Sequence, residues 1–281
     1  MHDTEIIGYF QRWCGYMLTG SVEEEQLVFG YGIGQNGKSV LANTLSHVMG
    51  SYAIQADSSI LASTKRNSGA ASPEIARLAG KRLALLNETK AGEQWDDARM
   101  KSLISREKIV ARGLHKEHIE FMPTAKFFIR GNNRPNIGDT TDGMWRRIIM
   151  LPFLNKVPPE KVDRNLEKKL RDEAEGILAW MVQGCLAWHR EGLNAPASII
   201  AGVEQYRRDE DPVSEWIEAR IDNGGFTSRS ALLSDYSSYM LLPRQTDPKP
   251  LYQQLRDKGF NEVKNNGQRG FRVSLRPAQL P

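Results

Sequence analysis

The run Gly32-Ile33-Gly34-Gln35-Asn36-Gly37-Lys38-Ser39 places glycines, a lysine and a hydroxyl in the spacing GxxxxGK[ST]. Glycines let successive backbone N–H groups turn inward toward phosphate oxygens, and a helix starting at Lys38 adds the positive end of its dipole. This spacing suits binding of a nucleoside triphosphate. Lys38 reaches the β- and γ-phosphates and the Ser39 hydroxyl ligates Mg²⁺.

Four further groups could act on such a ligand. Arg82-Leu83-Ala84-Leu85-Leu86 reads as a buried strand ending at Asn87-Glu88. An acid at that tip can hold a water against the γ-phosphate, a general-base or positioning role for Glu88. Asn87 stands where many NTPases have an aspartate that supports the metal. Lys126-Phe127-Phe128-Ile129 is another buried strand, ending at Gly131-Asn132-Asn133 and followed by Arg134-Pro135. An asparagine there can orient the attacking water; the bland alternative is a capped turn. In Asp142–Phe153, "DGMWRRIIMLPF", one of Arg146 and Arg147 could stabilise transition-state charge on a neighbouring subunit's nucleotide, the alternative being structural ion pairs. Finally, Lys108–Gly113 and Ile119–Met122 predict a hairpin with His115 and Lys116 at its tip and Arg112 at its base. A lysine there presents a mobile point charge to any phosphate, whatever the base.

These residues need elements to hold them. A helix over 1–20, a strand at Leu27-Val28-Phe29 and a helix from Lys38 to Met49, stopped by Gly50, frame the glycine loop. Ser63–Ser72 reads as a mobile loop, Pro73–Leu78 as a short helix, Asp96–Ser105 as a helix and Ile148–Leu151 as a last strand. Strands separated by helices predict an α/β layer with a largely parallel sheet. Beyond Pro158-Pro159, Leu166, Leu170, Ile177, Leu178 and Met181 fit one long amphipathic helix. After the charged stretch Arg207–Pro212, helices near Val213–Ile221, Ser230–Tyr239 and Pro250–Lys258 precede two short strands, Phe260–Lys264 and Phe271–Leu275. Helices ending in a small basic hairpin describe a winged helix.

Composition narrows the setting. The 281 residues are 40% hydrophobic, enough to bury a core and to make more than one domain. The net charge is +4, yet Arg244–Pro281 holds eight Lys and Arg against three Asp and Glu, so the basic surplus lies at that end and suggests an anionic partner. Among these, Lys258, Lys264, Arg269, Arg272 and Arg276 could touch phosphates. Cys14 and Cys185 match no metal-ligand spacing and read as reduced core residues. No apolar run approaches the roughly 18–20 residues of a membrane span, so the expectation is a cytoplasmic protein, in a bacterial host if phage-encoded.

Taken together, the glycine loop, the strand ending in Glu88, the hairpin, Asn132-x-x-Pro135 and "WRRIIMLPF" resemble the superfamily III (AAA+) helicases. More narrowly, they resemble the helicase part of phage and plasmid primase-helicases related to the poxvirus primase-helicase. "YFQRWCGYMLTG" resembles that family's helical lead-in, and "EAEGILAWMVQGCLAWHREGL" with "PASIIAGVEQYRRDED" its later helices. The resemblance implies a P-loop core at 22–155, a lead-in at 1–21, a helical segment at 156–211 and a winged helix at 212–281. It further implies Lys38 and Ser39 as the Walker A pair, Glu88 as the catalytic acid, and Asn132 as the sensor, before Asn133. Arg147 is then the finger, before Arg146. His115 and Lys116 grip DNA in a channel, with Lys264 and Arg269 on the C-terminal wing. The implied function is an ATP- and Mg²⁺-dependent replicative DNA helicase, a hexameric ring on single-stranded DNA. About twenty residues precede the core, so a primase would be a separate partner. The alternative is an origin-binding or loader ATPase that unwinds little.

Overall fold

The structure is a computed structural model and describes residues 3–61, 72–87, 94–113, 116–132, 134, 137, 142–242 and 247–277. Contacts divide the chain after Glu204 into two units, each taken by itself below.

The first unit opens with α1 (Thr4–Met17). Asp3 caps it, its carboxylate accepting from the N–H groups of Glu5 and Ile6. Next come β1 (Leu27–Tyr31) and α2 (Lys38–Met49), the latter ended by Gly50 at φ 52°, where glycine fits best. The layer continues through β2 (Ala53–Gln55), α3 (Pro73–Ala76), β3 (Leu83–Asn87) and α4 (Asp97–Ile104). A separate two-stranded ribbon, β4 (Ile109–Arg112) and β5 (His118–Phe121), precedes β6 (Lys126–Gly131), α5 (Asp142–Trp145) and β7 (Ile148–Pro152). The helices α6 (Leu166–Asp172) and α7 (Ala174–Glu191) follow, and the division falls within α8 (Ala197–Glu210). The single amphipathic helix expected from Leu166 to Met181 is two helices, because the backbone leaves helical geometry at Glu173.

Five strands form one parallel sheet in the order β2-β3-β6-β1-β7. Its strands are apolar on both sides because both faces are covered. On one face Val28, Leu85, Phe128 and Leu151 pack with Trp13 and Met17 of α1, Leu45 of α2 and Met181 and Trp188 of α7 in a single core. On the other, the rings of Phe29 and Trp95 lie 6.1 Å apart. The stretches expected as 1–21, 22–155 and the first part of 156–211 therefore share one core. The lead-in is tied to α7 by glycines: a Cβ on Gly15 would lie 1.9 Å from the Cys185 nitrogen, and one on Gly184 would lie 2.0 Å from the Gln11 oxygen. Cys14 is buried as expected, whereas Cys185 is only partly so.

The second unit runs α9 (Pro212–Arg220), β8 (Ile221–Ser228), α10 (Arg229–Tyr239), α11 (Lys249–Asp257), β9 (Glu262–Asn265) and β10 (Gln268–Leu275). Trp216, Leu232, Leu251, Leu255, Phe271 and Val273 make its core. The strands form an antiparallel sheet in the order β8-β10-β9. The basic hairpin is present, and tighter than expected: Asn266 and Gly267, both at positive φ, turn it in two residues.

Candidate nucleotide site

The parallel sheet puts the C-terminal ends of β1, β6 and β3 side by side, Tyr31 opposite Gly131 and Asn87 opposite Arg130. The strand order reverses direction around β1, where α/β sheets open a crevice for ligands. The glycine loop leaves β1 at this edge and runs into α2. Gly32 (φ 146°) passes so close to the chain after β7 that a Cβ would lie 2.1 Å from the Phe153 carbonyl oxygen. By contrast, nothing lies within 4 Å of a Cβ placed on Gly34 or Gly37. The loop is thus anchored on one side and open on the other. Asn36 fixes its shape, donating to the carbonyls of Ile33 at 2.9 Å and Phe153 at 2.8 Å. The Val157 N–H donates to the Gln35 carbonyl at 2.8 Å.

Lys38 is buried, and its Nζ donates to the Gly32 carbonyl at 2.5 Å and to Asn132 Oδ1 at 3.4 Å. The sheet alone brings these two residues together across 94 positions of sequence. Ser39 is exposed in the first turn of α2. No group of three or more acidic, His or Cys side chains is placed to hold a metal among the described residues. Glu88 and Asn133 lie outside the described residues.

Arg146 and Arg147 stand at the opposite edge. The Leu27 N–H donates to the Arg147 carbonyl at 2.8 Å, so both arginines lie at the N-terminal end of β1 and β7. The length of β1, four steps of about 3.3 Å, separates them from their own glycine loop. The Arg147 guanidinium is held within its chain: Nη2 lies 2.5 Å from Glu25 Oε2 and Nη1 donates to the Gly143 carbonyl. Arg146 reaches the same carboxylate only at 3.6 Å and its side chain is 67% exposed, against 12% for Arg147. Glu25 itself sits at φ 47°, a left-handed conformation that is uncommon outside glycine. Sequence spacing carried no sign of this carboxylate.

The β4–β5 ribbon pairs Arg112 with His118, and Lys116 is exposed beyond it. His115 lies outside the described residues. Arg112 therefore stands at the turn end of the ribbon and not at its base as expected, and that end is pinned where the Ser72 N–H donates to the Arg112 carbonyl at 2.8 Å. In the second unit, Lys264 and Arg269 face each other across β9 and β10, both exposed. Lys258 and Arg276, expected as phosphate contacts, are instead paired with Asp211 at 2.6 Å and Asp222 at 2.7 Å.

A family model described as a family of unknown function (DUF5906) matches residues 30–147, from the end of β1 to the arginine pair. The chain is 30% identical over 241 residues to "Putative helicase L207/L206" of Acanthamoeba polyphaga mimivirus, covering 79% of this chain and 25% of that protein. It is 26% identical over 232 residues to "Putative helicase 022R" of Frog virus 3 (isolate Goorha), covering 76% and 24%. It thus spans about a quarter of the length of these relatives. Among solved structures, the apo C-terminal region of NrS-1 shares the fold with a TM-score of 0.61 at 15% identity, covering 98% of this chain and 72% of that one. The chain is therefore related to viral proteins named as helicases, and its α/β fold is that of the NrS-1 region.

Proposed function

We propose that this chain is the ATP-hydrolysing motor of a replicative DNA helicase of a phage or other mobile element, working as a ring, with six subunits the expected number. The observation that carries the reading is Lys38 held 3.4 Å from Asn132 at the mouth of an open glycine loop, where adjacent parallel strands end. Bound Mg·ATP would place its phosphates over Gly34 and Gly37, where backbone N–H groups and the start of α2 favour negative charge. Lys38 then moves from the Gly32 carbonyl to the β- and γ-phosphates, and Asn132 orients the attacking water. Ser39 would hold the Mg²⁺ that comes with the nucleotide, and that ion would neutralise charge on the phosphate oxygens. Glu88 follows β3 directly in sequence and takes the role of base. Arg146, exposed and at the far edge of the sheet, would serve a neighbouring subunit's nucleotide. The partly buried ion pair to Glu25 makes Arg147 its anchor, reversing the order of preference that the sequence resemblance implies.

DNA contact rests on two basic hairpins. Lys116 lies beyond the β4–β5 ribbon, and the α9-β8-α10-α11-β9-β10 unit reads as a winged helix whose wing carries Lys264 and Arg269. A separate primase is a possible partner, and the alternative role is an origin-binding or loader ATPase. Hydrolysis stimulated by single-stranded DNA and absent in Lys38→Ala tests the motor. Unwinding of a forked duplex separates helicase from loader, because a loader hydrolyses without displacing the strand.

A further inference from the structure

A further charged side chain stands at the nucleotide edge of the sheet, on the strand between β1 and β3. Arg130, near the end of β6, pairs by register with Gly30 of β1 on one side and Asn87 of β3 on the other. It therefore stands one strand spacing, about 4.8 Å, from the strand that becomes the glycine loop. By the alternation of side chains along β6, it leaves the sheet on the same face as Phe128, which packs with α2. It lies at the end where α2 begins.

Its partners are unusual for a guanidinium. Nη2 donates to Asn87 Oδ1 at 2.8 Å and to Gln55 Oε1 at 3.4 Å, both neutral amides. Nε is buried with no hydrogen-bond partner, and Arg130 forms no ion pair among the described residues. Burial lowers its pKa. A half-buried cation with no counter-charge among the described residues is costly to hold, and at this edge the ligand's phosphates would supply one. The same contact bears on Asn87. Its side-chain oxygen already accepts from a cation, which disfavours a second cation, Mg²⁺, at that oxygen.

We propose that Arg130, oriented by Asn87 and Gln55, is a phosphate-contacting cation of this same nucleotide site and reads the terminal phosphate from within its own subunit. The inference rests on the nucleotide reading above. When a triphosphate enters, the guanidinium leaves its long contact to Gln55, keeps Asn87 and pairs with a γ-phosphate oxygen. Asn87 is then a positioning residue for Arg130 and does not support the metal.

The test is equilibrium binding of fluorescent ATP and ADP analogues to the full chain, with a Mg²⁺ titration of hydrolysis. Arg130→Gln keeps an amide next to Asn87 and removes the charge. It should lose about ten-fold or more of the preference for triphosphate over diphosphate, with diphosphate affinity nearly unchanged, while Arg130→Lys keeps part of the preference. Asn87→Asp should capture Arg130 in an ion pair, lowering hydrolysis without lowering the Mg²⁺ concentration for half-maximal rate. An Arg130→Gln protein with the wild-type preference overturns the proposal, even if its melting temperature falls. So does an Asn87→Asp protein that needs less Mg²⁺ at full rate. Failure of the underlying reading looks different: the wild-type chain would then bind neither nucleotide, or bind them with no loss on Lys38→Ala.

Discussion

Glu25 Oε2 lies 2.5 Å from Arg147 Nη2 and 3.6 Å from Arg146 Nη2, so one carboxylate serves two adjacent arginines unequally. The next residue back, Glu24, faces elsewhere: its Oε1 accepts from Trp188 Nε1 of α7 at 2.6 Å. Neighbouring carboxylates thus tie the α1–β1 connection to the later helices and to the arginine pair. Arg147 is the inner, fixed member and Arg146 the one free to extend.

This division predicts different losses. Arg146→Ala should bind nucleotide within about two-fold of wild type and lose hydrolysis by about a hundred-fold or more. Arg147→Ala should chiefly destabilise, by about 2 kcal/mol, since it leaves Glu25 without its close partner. Steady-state kinetics and chemical denaturation of both proteins check the assignment. Full hydrolysis by Arg146→Ala contradicts it.

The second prediction concerns pH. Lys126, at the start of β6, is buried. Its Nζ donates to the carbonyls of Thr19 at 2.6 Å and Thr124 at 3.1 Å and lies 4.5 Å from the centre of the Tyr16 ring. Burial, and then the Arg82 charge, bring its pKa down to about 7. Below pH 7 it is charged in both folded and unfolded chains, and the cost of burying the charge is fully present. Between about 7 and the ordinary lysine value the folded chain releases the proton while the unfolded chain keeps it, so this residue makes stability rise with pH across that window. Denaturation midpoints of wild type and Lys126→Met from pH 6 to 10 should show the rise in the first and its loss in the second.

Close helix contact gives a third. Gly15→Ala and Gly184→Ala each drive a methyl into backbone across α1 and α7 and should cost about 3 kcal/mol. Gly176→Ala in the same helix α7, where nothing lies within 4 Å, should be neutral or stabilising. Thermal melts of the three variants compare them directly.

Much of this arrangement is visible in the sequence, for physical reasons. β1, β3 and β6 have apolar centres because both sheet faces are covered, and Gly50 ends α2 where the pattern places it. Other features escape periodicity. β2 is three residues long, and β8 crosses Asp222-Asn223-Gly224-Gly225, polar and turn-like, of which Asp222 and Asn223 pair with β10 while the glycines fall where the register shifts. Glu173 breaks a helix that the apolar spacing continues through. Arg130 and Glu25 acquire meaning only from register and chain crossing. The basic tail shows the complementary limit, since charge alone does not tell Lys258 and Arg276, paired within the unit, from Lys264 and Arg269.

That last pair yields a fourth prediction. Like charges directly opposite on antiparallel strands are destabilising, so Lys264 and Arg269 suit a surface that meets a polyanion. Replacing both by Glu should weaken duplex DNA binding and lower the salt dependence by about one unit of slope per residue removed, leaving hydrolysis without DNA unchanged. Lys116→Ala should likewise spare basal hydrolysis and lose its stimulation by single strands. Fluorescence anisotropy over a salt series reads the first and coupled ATPase assays the second.

The central claim is that the nucleotide is completed across a subunit boundary, with Lys38 at one edge of the sheet and Arg146 at the other. Mixing Lys38→Ala and Arg146→Ala proteins, each inactive alone, measures it. The account predicts that hydrolysis returns in the mixture, because some interfaces then join an intact glycine loop to an intact arginine. A mixture as inactive as its components, in rings shown by mass to contain both, would contradict it.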